Sequence, residues 1–121
     1  MSHDTLFRIS EHVTAPGVSH GDLFLLTPDA ESLVTYDIQG LDLISLVERF
    51  QKRTDLEACL GEGEIWIKRK ANHRLHYWTF SGDISGDRGT LREVCRGRLI
   101  EFPGGWPEAT ALKIYDVPRE P

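Results

Sequence analysis

Phe7-Arg-Ile-Ser-Glu-His12 and Ser19-His-Gly-Asp-Leu-Phe-Leu-Leu26 decide how this chain is read, because they place three metal-capable side chains on two consecutive predicted β-strands. In the second strand His20 and Asp22 are two apart, so they share a face, with Cα atoms roughly 6–7 Å from each other. Between the strands, Val13-Thr-Ala-Pro-Gly-Val18 carries a Pro-Gly turn signal. The chain is therefore expected to reverse and return antiparallel, which brings His12 beside the start of the second strand as a third ligand. Strict alternation then puts Arg8 and Ser10 on the face of His12 and Phe7 and Ile9 on the other, a conflict that a bulge or kinked strand end would relieve. Taken singly, each of the three has an ordinary explanation: a strand end, a loop cap, a hydrogen-bond acceptor. It is the set His12, His20, Asp22 that points to a mixed nitrogen and oxygen metal site.

Working outward, Leu33-Val-Thr-Tyr-Asp-Ile38 reads as a third strand after the turn Thr27 to Ser32, completing an antiparallel meander. From Leu41 to Arg53, Leu43, Leu46, Val47 and Phe50 recur at i, i+3, i+4 and i+7, the spacing of an amphipathic helix with a core-facing stripe. Asp55 to Leu60 suggests a short helical turn stopped by Gly61 and Gly63, followed by strands at 64–68, 75–80, 90–95 and 110–117. Ser81 to Gly89 is a glycine-rich loop whose Gly82, Gly86 and Gly89 fit neither a dinucleotide nor a P-loop pattern, so tight turning accounts for them. Seven or so strands and one helix predict a mainly β fold, a small antiparallel barrel or strongly curved sheet with the helix packed on it. The metal set is expected on its inner face near a rim.

The 121 residues suit a single domain, and 40% hydrophobic with 27% charged residues is the balance of a globular protein. No apolar run approaches the ~20 residues needed to span a bilayer, and the start lacks a signal-like apolar stretch, so a cytoplasmic protein with no membrane partner is expected. Cys59 and Cys95 lie outside any Cys-x-x-Cys context and are expected as thiols. A net charge of −5 gives no global attraction to nucleic acid, so any phosphate contact must come from local cations: Lys68 to Lys70, Arg74, Arg88, Arg92, Arg96 and Arg98. Trp66, Trp78 and Trp106 are expected to pack at the core or rim. His76 is expected in solvent.

The order of these residues resembles the 3′-phosphoesterase domain found at the N-terminus of bacterial DNA ligase D and in short stand-alone relatives. Its first signature is similar to Phe7 to His12 and Ser19 to Leu25. A later one is similar to His73-Arg-Leu-His-Tyr77-Trp-Thr-Phe-Ser-Gly82-Asp-Ile84-Ser-Gly86-Asp-Arg-Gly89, followed by Val94 to Arg98. The resemblance covers roughly residues 6 to 100. It implies a small β-barrel, Mn²⁺ (or Zn²⁺) held by His12, His20 and Asp22, and removal of a 3′-phosphate or 3′-ribonucleotide from a nucleic-acid end, with DNA repair proteins as partners. His73 matches a histidine at the scissile phosphate and Tyr77 a tyrosine of the same site. A divalent ion there polarises a phosphoryl oxygen and lowers the pKa of bound water, while an imidazolium and a phenol stabilise phosphoryl charge. The chain departs from the family at Gly21, Ser81 and Val94-Cys95, and at Phe24, where the family carries arginine. Two further readings are a binding module that keeps metal and nucleotide without turnover, and a structural protein whose histidines are incidental.

Overall fold

The computed structural model describes residues 5–15, 18–38, 40–49, 56–84, 89–99 and 105–115. Seven strands run in chain order: β1 (Leu6–Ala15), β2 (Val18–Leu26), β3 (Ser32–Ile38), β4 (Leu56–Arg74), β5 (Gly82–Asp83), β6 (Thr90–Leu99) and β7 (Ala109–Tyr115). One helix, α1 (Gly40–Arg49), and one 3₁₀ turn (Leu75–Trp78) interrupt them. All strands join one sheet in the order β5-β6-β1-β2-β3-β4-β7. The sheet curls strongly without closing, as the mainly β prediction required. A three-residue parallel contact, Leu56–Ala58 against Gly97–Leu99, draws the start of β4 to the end of β6; the other pairings are antiparallel.

Period-2 alternation explains the main core. Phe7, Ile9, Leu23, Leu25, Tyr36, Ile38, Ile65, Ile67, Leu112 and Ile114 come from one face of five strands and are buried together. On α1, Leu43 and Leu46 join that cluster and Val47 packs partly against it, which is the expected stripe. The described helix covers Gly40–Arg49; Phe50 to Arg53 of the expected helix lie outside the described residues. Close packing of α1 on β2 accounts for Gly21: a Cβ there would meet Leu43 Cδ1 at 2.9 Å and Ile38 Cβ at 3.1 Å.

Two sequence expectations are corrected. Leu56 to Leu60 is strand, not a helical turn, and Gly61 to Glu64 is where the β4–β7 register shifts, Leu60 and Ile65 both facing Leu112. The segment's weak helical preference yields to backbone pairing with β6 and β7, a tertiary override of propensity. Leu75 to Phe80 is not a strand either. After an extended Arg74 the chain winds into the 3₁₀ turn, and Tyr77, Trp78 and Phe80 cover a second, smaller cluster of Phe24, Leu33 and Leu91. Apolar residues two apart suit a strand on paper, but here a tight turn folds all three onto one patch.

Candidate metal centre and the cleft beside it

The β1–β2 register pairs His12 with His20, Ser10 with Asp22, and Arg8 with Phe24. Directly opposed residues in an antiparallel pair share a face, so His12, His20 and Asp22 come together as predicted. The Pro16-Gly17 turn lies outside the described residues. His12 Nδ1 stands 3.2 Å from His20 Nε2, His20 Nε2 is 4.0 Å from Asp22 Oδ1, and all three candidate ligand atoms fall within 4.8 Å of one another.

The anticipated conflict along β1 resolves differently. Phe7 and Ile9 face the main core, yet Arg8 and Ser10 on the opposite face are also buried. Both faces of β1 are covered, one by the core and the other by the segment from Leu75 to Ile84. A register shift does occur at Ile9/Ser10, but on the β6 side: Cys95 faces Ile9, Glu93 faces Ser10, and Val94 is the extra residue. Cys95 is a buried thiol, as expected. The triad consequently lies on the face opposite the main core.

Donor chemistry and spacing fit a divalent ion. Ligand bonds of about 2.0–2.2 Å put two donors on one ion between roughly 3 and 4 Å apart, so the His12–His20 and His20–Asp22 separations need little change and the widest pair, within 4.8 Å, must close by less than about 1 Å. Burial, the largest cause, lowers the His20 pKa below its ordinary value; Asp22 and, more weakly, Asp37 pull it up, and Lys70 and His12 add to the lowering. The ring is therefore neutral near pH 7, with a lone pair for ligation. Asp22, 2% exposed, holds the Lys70 ammonium at Oδ1, and the buried Ser10 Oγ has no hydrogen-bond partner among the described residues.

One residue at the centre was not singled out from sequence. The Lys70 ammonium forms an ion pair with Asp22 Oδ1 and lies 3.1 Å from Asp37 Oδ1. Its visible signal was membership of the basic run at 68–70, but pairing with Asp22 requires β4 to lie beside β3 in the register Thr35↔Lys70.

His12 and Asp22 open onto a cleft of about 440 Å³ that His73, Arg74, Tyr77, Asn72, Ile84 and Leu91 also line. His73 reaches it because a register shift between Leu33 and Thr35 moves it onto the site face. Its Nδ1 lies 3.2 Å from the Ala71 carbonyl, and its ring packs at 5.3 Å from Phe24 and 5.8 Å from Tyr77, centroid to centroid. The Arg74 guanidinium sits over the Tyr77 ring at 5.7 Å. So the two residues expected at the scissile phosphate line the same cleft as His12 and Asp22. His76 is exposed, as expected, although its ring touches Tyr77 and Phe80.

Arg8, which alternation had marked as a misfit, pins the segment carrying Tyr77. Its side chain, 1% exposed, donates from Nε to Glu93 Oε1 (2.9 Å), from Nη1 to the Tyr77 carbonyl (2.7 Å) and from Nη2 to Ser81 Oγ (2.8 Å). Burial lowers the Arg8 pKa while Glu93 pulls it back up. Arg96 joins the same carboxylate, and Arg92 pairs with Glu11 on the surface, so these arginines are engaged within the protein. At the base of the loop, Ile84 N–H donates to the Gly89 carbonyl at 2.8 Å. Gly89 has φ 96°, and any Cβ there would strike the Val13 carbonyl. Gly86 and Arg88 lie outside the described residues.

No family model, no curated protein and no solved structure matches the chain.

Proposed function

We propose that the protein is a metal-dependent phosphoesterase acting on a nucleic-acid 3′ end, removing a 3′-phosphate or 3′-ribonucleotide, or on a related phosphate ester. The observation that carries the reading is the meeting of two sets of side chains in one cleft: His12 and Asp22 line it together with His73, Arg74 and Tyr77. A divalent ion held by His12, His20 and Asp22, Mn²⁺ by preference and Zn²⁺ as an alternative, supplies Lewis-acid activation of a phosphoryl oxygen. The second set does the rest. Arg74 brings a permanent cation, His73 a proton donor when charged, and Tyr77 a phenol, each suited to an anionic ester entering the cleft. The apolar Ile84 and Leu91 give the organic part of the ester a dry contact.

Mn²⁺-dependent release of inorganic phosphate from a 3′-phosphorylated primer tests the reading, with His20→Ala as the control. Release that survives His20→Ala removes the proposed centre. A second reading, a binding module without turnover, draws on Phe24. That ring is fully buried in the smaller core, so no guanidinium stands where the family resemblance calls for one. Calorimetric Mn²⁺ binding with no hydrolysis across a phosphoester panel favours it.

A further inference from the structure

We propose that Lys70 is the resident cation of the metal centre: its ammonium holds the ligand oxygen of Asp22 until a divalent ion takes that oxygen, and then passes to Asp37. The exchange rests on the metal centre proposed above, formed by His12, His20 and Asp22, and not on which ester is cleaved.

Register brings the parts together. Asp22 lies directly opposite Asp37 in the β2–β3 pair, and Thr35, two residues before Asp37, lies opposite Lys70 in the β3–β4 pair. The lysine stem therefore crosses β3 diagonally, on the face that carries both carboxylates. Its ammonium pairs with Asp22 Oδ1, the same oxygen that stands 4.0 Å from His20 Nε2, and it lies 3.1 Å from Asp37 Oδ1. An ammonium and a divalent ion both in contact with one carboxylate oxygen would be within about 5 Å of each other, where like charges repel strongly. Only one of them holds Asp22 at a time.

Burial explains why a resident cation is needed. The Asp22 side chain is almost fully buried, and a carboxylate so dry costs free energy unless a charge compensates it. Lys70 supplies that charge in the absence of metal. Asp37 and Lys70 keep partial contact with solvent, so the pair that remains after the exchange is easily accommodated, and a flexible lysine stem reaches it by a change of rotamer alone. The charge count runs the same way. Two carboxylates share one ammonium, which leaves a negative charge to draw a second cation in; after the exchange each carboxylate has its own. Lys68 is directly opposite Asp37 in the register but exposed, and it serves as the control.

The experiment is calorimetric titration of the full chain with Mn²⁺, in wild type, Lys70→Met, Lys70→Gln, Lys68→Met, Asp37→Asn and the double variant Lys70→Met/Asp37→Asn, with no ester present. Lys70→Met keeps a long side chain without its charge and should tighten Mn²⁺ binding about tenfold. Lys70→Gln, which retains a hydrogen-bond donor for Asp22, should tighten it in the same direction, and Lys68→Met should stay within about twofold of wild type. Asp37→Asn should weaken binding where Lys70 is present and much less in the Lys70→Met background. In urea, Lys70→Met should be less stable than wild type without metal and should regain the difference at saturating Mn²⁺. If both Lys70 variants bind Mn²⁺ no tighter than wild type, or if Lys68→Met tightens it equally, the exchange is overturned and the metal centre stands. Equal weakening by Asp37→Asn in both backgrounds overturns Asp37 as the landing point. Should neither wild type nor any Lys70 variant bind Mn²⁺ or Zn²⁺, the centre falls and the exchange with it. Absence of phosphate release with these affinities as expected removes the phosphoesterase reading alone.

Discussion

Both faces of the β1–β2 hairpin carry fully buried residues, and their chemistry differs. On one, Phe7, Ile9, Leu23 and Leu25 are fully buried among other hydrocarbon side chains. On the other, Phe24 is the one fully buried apolar side chain of the pair, and Arg8, Ser10 and Asp22, all polar, are as fully buried beside it. Burying hydrocarbon lowers free energy in proportion to area, whereas burying a polar group costs free energy unless a partner compensates. A hairpin that had only to fold would have used apolar residues twice. The second face therefore gives up stability to hold a carboxylate and two imidazoles at fixed positions, and its function should fail before its fold does.

The largest expected effect separates the faces most sharply. His20→Ala should lower Mn²⁺-dependent phosphate release by about a thousandfold, ~4 kcal/mol of transition-state stabilisation, while leaving the urea midpoint within a few tenths of a molar of wild type. Leu23→Ala, one residue from Asp22 and on the opposite face, should do the reverse. It deletes a fully buried side chain and should cost about 2–5 kcal/mol of stability by chemical denaturation, with Mn²⁺ affinity of the folded fraction retained. Equal stability losses from the two substitutions would break the comparison.

Which face does which is only half legible in sequence. Apolar residues at every second position are a strong signal for a sheet core, so the hairpin, β3 and the stripe of α1 could be read directly, and the His12, His20, Asp22 set with them. A polar buried face carries no such signal, because alternation that reads hydrophobic-in and polar-out looks the same whether the polar side meets water or a second layer. Arg8 shows the difficulty. Its partners are 69 to 85 positions away, and they meet it only because a segment read as strand is a 3₁₀ turn. Lys70 depends likewise on a register between β3 and β4 that no local pattern fixes, and Trp66, expected at the core or rim, is exposed where its β7 neighbour is Ala111. Phe24 shows what the wider context adds. It lies opposite Arg8 in the β1–β2 register, on the face whose cation demand Arg8 already answers, and a second guanidinium there would need its own buried partner.

Arg8→Met offers an intermediate effect. It keeps a long side chain in the gap but leaves the Tyr77 carbonyl, Ser81 Oγ and Glu93 without their donor. Loss of hydrogen bonds at buried partners should cost about 1–3 kcal/mol. Because the lost contacts hold the wall of the cleft, amide exchange of residues 75–81 should quicken more than that of β1 or β2. Uniform acceleration across the sheet would make Arg8 an ordinary core residue and weaken the division between the faces.

The smallest effect concerns the same pin in acid. Burial by itself would raise the Glu93 pKa, but the hydrogen bonds and charges of Arg96 and Arg8 overcome it and hold the carboxyl below its ordinary value. A carboxyl with a folded pKa below its unfolded one binds fewer protons in the native state. Its contribution is thus fully present above the unfolded value of about 4.3 and is lost as pH falls through the folded one. Stability of the wild type should therefore drop between pH 5 and pH 3 by more than that of Glu93→Gln, which has no proton to gain there. The two curves should run parallel from pH 5 to pH 7. Should they stay parallel down to pH 3, the Arg8–Glu93–Arg96 cluster holds no net charge interaction, and the compensation assigned to the polar face would have to come from its hydrogen bonds alone.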